Sequence, residues 1–213
     1  MRISHKHKFV FIAVTKTASS SIRSAIYNFV DLRPTDFGED VTPHIKSVDL
    51  KKKFIEKGWD WDEYFKFAFV RNPWDRIVSQ FKYKHGYIET HIVDQLKKGD
   101  GKYNFKHNLL NFRGFLDHLV MTNNEKKNLY LKQVDWIFDK NKKNMVDFVG
   151  RFENLQEDFN IVCDKIGIPH RQLPHQNKTK HKHYTEYYND ETREIVAKKY
   201  AKDIEYFNYK FGG

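Results

Sequence analysis

The run Lys16-Thr-Ala-Ser-Ser-Ser21 gathers a cation and several hydroxyls among small residues. Such a set suits an anion: the ammonium supplies charge, hydroxyls donate hydrogen bonds, and small side chains let backbone N–H groups approach. Arg71 and Ser79 form a second set around Asn72-Pro73, the arginine offering its planar fork and the serine its hydroxyl to one phosphate. Two such places in one chain predict a ligand with two separated phosphates. His44 lies between them in sequence. An imidazole, with an ordinary pKa of about 6.5, is suited to take a proton from a hydroxyl at neutral pH. Glu153 is an alternative base, although its place just before a helix also reads as a first-turn acid.

The elements that must hold these residues are legible around them. Phe9 to Val14 is a continuous apolar run, aromatic and β-branched, of strand length. Ile22, Ala25, Ile26 and Phe29 then recur at helical spacing. The loop from Thr15 to Ser21 therefore joins a buried strand to a helix N-terminus, where open α/β sheets bind ligands. The plainer alternative is a helix capped by Ser20 or Ser21 after an ordinary strand. The loop holds no glycine, and its lysine precedes the serines, so it is not a Walker A loop.

Phe67 to Val70 is a second buried strand ending at Arg71, with Asn72 as N-cap, Pro73 at the first helical position and Asp75 in the first turn. Asn72, Arg76 and Ser79 share one face of that helix, while Ile77, Val78 and Phe81 turn inward. A short helix begins near Ser47 and stops at Lys57-Gly58. A third strand spans Met145 to Phe152, and its helix carries Phe159, Val162, Cys163 and Ile166 before Gly167. Residues 85–143 are irregularly helical, broken at Lys98-Gly-Asp-Gly101 and Thr122-Asn-Asn124, and suit a cap facing an acceptor. Pro169 to His183 is a basic, histidine-rich loop, and a last helix begins near Asn189-Asp190 with Ile195, Val196, Tyr200 and Ile204 inward.

At 213 residues, 39% hydrophobic and 16% aromatic, the chain is expected to fold as one domain over 1–213. Its net charge of +10 points to an anionic partner. The single Cys163 rules out an internal disulfide and a multi-cysteine zinc site, and its helical setting predicts a buried thiol. His175, His181 and His183 are interleaved with lysines that repel a cation, so no metal is expected. His5 and His7 are expected to face solvent. The N-terminal region matches neither a secretory signal nor a membrane anchor, which predicts a soluble, cytoplasmic protein.

On Lys16-Thr-Ala-Ser-Ser-Ser21 and Phe69-Val-Arg-Asn-Pro-Trp-Asp-Arg-Ile-Val-Ser-Gln-Phe81 together, the chain resembles sulfotransferases that use 3′-phosphoadenosine-5′-phosphosulfate (PAPS). The first segment is similar to their 5′-phosphosulfate loop and the second to their 3′-phosphate motif. The match is closest to the carbohydrate sulfotransferases, heparan-sulfate 2-O and chondroitin types, and extends to Val149-Gly-Arg-Phe-Glu-Asn-Leu155 and a final helix from Tyr184 to Phe211. The resemblance implies a P-loop NTPase-like parallel sheet flanked by helices, with sulfuryl transfer to a hydroxyl, on a carbohydrate such as an acidic glycan. It implies PAPS as co-substrate and adenosine 3′,5′-bisphosphate (PAP) as product, without a metal. Lys16, Thr17, Ala18, Ser19, Ser20, Ser21, Arg71 and Ser79 would hold the nucleotide, with Lys16 and His44 as catalytic residues. Lys178, Thr179 and Lys180 fall where the family closes a segment over the 3′-phosphate and adenine.

Two other classes fit parts of the sequence. A nucleoside or small-molecule kinase on the same fold lacks its Gly-x-x-x-x-Gly-Lys-Ser/Thr pattern here. A nucleic-acid-binding module would draw on the positive charge and aromatics, but the lysines are scattered and no such motif is present, so nucleic acid is not the expected partner.

Overall fold

The computed structural model describes residues 1–38, 41–96, 111–121, 131–174 and 182–213. They belong to two compact units, Met1–Arg71 with Leu131–Lys178, and Asn72–Tyr130 with Thr179–Gly213. The chain breaks expected at 98–101 and 122–124, and His175, Lys178, Thr179, Lys180 and His181, lie outside the described residues.

The first unit is built on a four-stranded sheet ordered β1 (Arg2–Ser4), β2 (Phe9–Ile12), β3 (Phe65–Val70), β4 (Phe148–Arg151). β1 lies antiparallel to β2, whereas β2, β3 and β4 run parallel. With helices around it, this is the expected α/β class. The strand expected over Phe9–Val14 stops at Ile12, and that over Met145–Phe152 shortens to β4. β1 has no counterpart in the sequence reading: Arg2–Ser4 is too short for its alternation to stand out, and only pairing with β2 makes it a strand.

Successive side chains of a strand point to opposite faces. On one face Phe9, Phe11 and Ala13 join Phe67 and Phe69. Ile22, Ala25 and Ile26 pack there from α1 (Ser19–Ala25) and its exit, as do Phe159, Val162, Cys163 and Ile166 from the helix Leu155–Ile166. On the other face Val10, Ile12, Ala68 and Val70 are fully buried as well. Two buried faces explain why these strands read as unbroken apolar runs. Two further helices belong to this unit: α2 (Ser47–Glu56), followed by Gly58 in the left-handed conformation, and a short helix Val134–Ile137. The segment 131–143, expected within the cap, thus sits in the first unit, with Gln133 and Trp136 fully buried.

In the second unit α3 (Pro73–Leu96) opens as expected, the Asn72 side chain accepting from the Trp74 N–H at 3.2 Å. Trp74, Ile77, Val78 and Phe81 pack with Phe115, Leu116 and Leu119 of α4 (Phe112–Met121) and with Tyr184, Val196 and Tyr200. Asn72 and Arg76, expected to share a face with Ser79, are buried, and the Arg76 guanidinium lies 5.9 Å from the Tyr200 ring centroid. With α5 denoting Val134–Ile137 and α6 Leu155–Ile166, the expected last helix is two, α7 (Asp190–Lys199) and α8 (Ala201–Phe207), parted at Tyr200. Asn189 caps α7 through Thr192 at 2.8 Å. Among the described residues no helix is long and apolar enough to cross a membrane.

His5 and His7, expected to face solvent, are half-buried and make ring contacts. The His5 ring meets Trp59 edge-on at 4.6 Å with Nδ1 on the Tyr64 hydroxyl, and His7 Nδ1 lies 3.3 Å from the Ile166 carbonyl. Each makes its contacts with residues far away in sequence.

Gly150 pairs with Phe69 across β3 and β4, and a Cβ there would meet the Phe69 ring at 2.4 Å. Replacing Gly150 by Ala should therefore lower stability by about 1–3 kcal/mol, with part of the loss recovered by adding Phe69→Leu, as read from thermal melts of the two variants. The Cys163 thiol is buried and its pKa is raised to about 11, chiefly by desolvation. It should stay silent to thiol reagents at neutral pH until denaturant opens the core; rapid labelling of the folded protein would contradict this packing.

Candidate active site

The chain leaving β2 turns sharply, with the Val14 N–H on the Ile12 carbonyl at 3.2 Å. The Thr17 hydroxyl donates to the Val14 carbonyl at 3.1 Å, and Thr17 is fully buried. Lys16 and Ala18 both take left-handed conformations, at φ 65 and φ 60. Each costs a residue with a Cβ about 1–2 kcal/mol, a strain found where a loop is shaped for a ligand. Left-handed residues set among right-handed ones turn successive N–H groups toward one side, forming a concavity that receives anions.

Helix α1 starts earlier than the loop reading placed it. Ser19, Ser20 and Ser21 form its first turn, and Ala18 is the N-cap without a side-chain bond. The serines therefore do not cap the helix. Ser19 and Ser21 are buried, and Ser20 Oγ accepts from Arg23 Nη2 at 3.2 Å. Arg23 Nε also donates to the Ser19 carbonyl at 3.1 Å, and burial lowers the pKa of its guanidinium. Arg23 is a cation at this loop that the motif did not single out. Its signal was its spacing, three and four residues beyond Ser20 and Ser19.

Arg71 follows β3 at the same end of the sheet, 7% exposed. Its Nη1 donates to the Lys16 carbonyl at 3.4 Å, and its guanidinium lies 3.8 Å from the centroid of Phe152, the residue after β4. Gln133 accepts from the Arg71 N–H and donates to the Arg71 carbonyl, both at 2.8 Å. Gln133 carries no chemistry of its own and no sequence motif marks it; Phe152 lies in the Val149–Leu155 segment of the resemblance but was not singled out there.

His44 joins the same end from the segment before α2. Its Nδ1 lies 2.7 Å from the Ala13 carbonyl, one residue past β2, and its ring is edge-on to Trp136 at 6.1 Å. A carbonyl only accepts, so Nδ1 carries the proton and the neutral ring keeps its lone pair on Nε2. Burial lowers the pKa of this imidazole, and the charges of Arg23 and Lys16 push the same way, against the bond to Ala13.

The structure thus brings together the Lys16–Ser21 loop, Arg71 and His44 at the carboxyl ends of β2 and β3. Ser79 is half-buried on α3 in the second unit. Glu153 is exposed in a 3₁₀ turn, Phe152–Asn154. Among the described residues no group of three or more His, Cys, Asp or Glu could hold a metal ion.

A family model described as the sulfotransferase family matches residues 1–210. Carbohydrate sulfotransferase 14 of Mus musculus is 28% identical over 187 residues, covering 81% of this chain and 48% of that protein. Carbohydrate sulfotransferase 9 of Homo sapiens is 26% identical over 230 residues, covering 95% of this chain and 47% of that protein. An uncharacterized protein of Archaeoglobus fulgidus is 32% identical over 119 residues, covering 51% of this chain and 72% of its own. The chain spans about half the length of the carbohydrate sulfotransferases it matches. No solved structure matches it. With that family model running across nearly all of the sequence, and the anion-suited loop, Arg71 and His44 at one sheet end, the chain belongs to the sulfotransferase family.

Proposed function

We propose that the protein transfers a sulfuryl group from PAPS to a carbohydrate hydroxyl, with His44 as the base. The observation that carries this reading is the meeting of Arg71 with the Lys16 loop at one sheet end, Nη1 to carbonyl at 3.4 Å. Cations, loop N–H groups and an aromatic floor at that place fit a nucleotide bearing two anionic groups. The carbohydrate acceptor draws support from the relatives, which are named as carbohydrate sulfotransferases. The net charge of +10 suits an acidic glycan among such acceptors.

In this reading the transfer is an in-line displacement. The acceptor oxygen bonds to sulfur as the bond from sulfur to the phosphate oxygen breaks, and PAP leaves with the electron pair. Lys16 and the loop N–H groups stabilise the charge that grows on that phosphate. Arg71, resting on Phe152, holds the 3′-phosphate. Nε2 of His44 takes the hydroxyl proton, and the bond to Ala13 keeps the ring turned so that this nitrogen is the basic one. Burial favours the uncharged ring, so the base is in working form at neutral pH.

Alanine at Lys16 or Arg71 should weaken PAP binding about tenfold or more by calorimetric titration, each change removing a charged donor. Alanine at His44 should leave that affinity within about twofold and cut turnover by roughly 10²–10⁴. Full turnover in that variant would remove His44 from the role. In a thermal-shift comparison PAP should stabilise the native protein more than ATP does; the reverse order would favour a kinase.

The pH dependence has a defined sign. The His44 pKa is lowered in the folded protein, so the acid limb of turnover should fall at a pH below the ordinary imidazole value of about 6.5. A limb centred above that value would contradict the buried setting of the ring.

A further inference from the structure

The β3 ladder ends one residue short of Arg71. Toward β2 the pairing runs to Ile12↔Ala68, and toward β4 it runs to Val70↔Arg151. Arg71 therefore presents a backbone N–H and a carbonyl beyond the last registered pair, in a place largely closed to water. Groups left so would cost about 1–3 kcal/mol each and would let the residue swing.

Gln133 meets both. Its Oε1 accepts from the Arg71 N–H and its Nε2 donates to the Arg71 carbonyl, each at 2.8 Å, and the glutamine is fully buried. The side-chain amide stands where one peptide unit of a further strand would stand. Its orientation is fixed by chemistry, because an N–H can only donate and a carbonyl only accept. A residue 62 positions along the chain thus locks the backbone from which the Arg71 guanidinium reaches the Lys16 carbonyl and the Phe152 ring. The same segment continues into α5, whose Trp136 meets His44.

We propose that Gln133 is a positioning residue for anion binding: its amide completes the β3 ladder at Arg71 and so aims the guanidinium at the bound nucleotide. This rests on the nucleotide reading above and adds to it the residue that sets the geometry of the arginine. Gln133 touches neither donor nor acceptor in this account and acts through Arg71.

A double-mutant cycle separates this role from general stabilisation. PAP is titrated calorimetrically into the native protein, Arg71→Ala, Gln133→Met and the double variant, each first shown to be folded by its thermal melt. Methionine keeps the length and volume of glutamine while removing both hydrogen bonds. Gln133→Met should weaken PAP binding about tenfold, with turnover at saturating donor changed less than about threefold. In the Arg71→Ala background the same change should have no further effect, since the group it aims is gone. Affinity of Gln133→Met within about twofold of native, or losses that multiply in the double variant, would overturn the proposal. Should Gln133→Met not fold, Gln133→Asn, one methylene too short to span both bonds, takes its place in the cycle. A native protein that binds no PAP, or Arg71→Ala binding as native, would instead overturn the nucleotide reading, and the bracing role with it.

Discussion

Parallel pairing of β2 with β3 is the constraint from which the site follows. The parallel register from Phe9↔Phe65 to Ile12↔Ala68 puts the carboxyl ends of both strands at the same end of the sheet, β3 running on to Val70. Whatever the chain does next, at Thr15–Ser21 after one strand and at Arg71 after the other, it does at one edge. Parallel strands are joined by long crossovers, so these segments come from distant parts of the sequence and need no local relation to each other. The phenylalanines on one face and the small aliphatic residues on the other drive that pairing by burying both sides of the sheet.

The same burial creates a problem at the strand ends, where ladder hydrogen bonds stop before the chain reaches water. Side chains supply the missing partners. Thr17 serves the Val14 carbonyl, His44 serves that of Ala13, and Gln133 serves both backbone groups of Arg71. Each pairing does two things: it satisfies a buried polar group and it fixes the direction of a residue suited to chemistry. For His44 the bond to Ala13 also selects the tautomer, so backbone satisfaction and base orientation are one interaction.

Close packing beneath the site shows how little freedom remains there. Phe69 occupies the space a side chain at position 150 would need, which explains a glycine in the middle of β4. Phe152, just past that strand, then lies against the Arg71 guanidinium. The second unit follows another logic, helices closing around Trp74, Phe81, Phe115 and Tyr200. Its last helical pair parts at Tyr200, which is fully buried and takes a non-helical conformation between α7 and α8.

Much of this was local and therefore readable. The parallel strands, the Asn72 cap, the stop at Gly167 and the buried face of α6 follow from apolar periodicity and turn chemistry within a few residues. Lys16, Arg71 and His44 could be picked out because their functional groups and spacing carry meaning by themselves. The starts and ends of elements were less legible: β1 exists only through its partner, and the first turn of α1 takes in serines that looked like loop. What three-dimensional folding alone decided was contact between residues far apart in sequence. It set Arg71 beside Lys16, His44 on Ala13 and Gln133 across Arg71. It also set His5 against Trp59 and Tyr64, and His7 beside the Ile166 carbonyl. The reason is physical: a glutamine amide or a phenylalanine ring has no role until the fold presents it with a backbone group at a strand end or a guanidinium, and no spacing along the chain records that encounter.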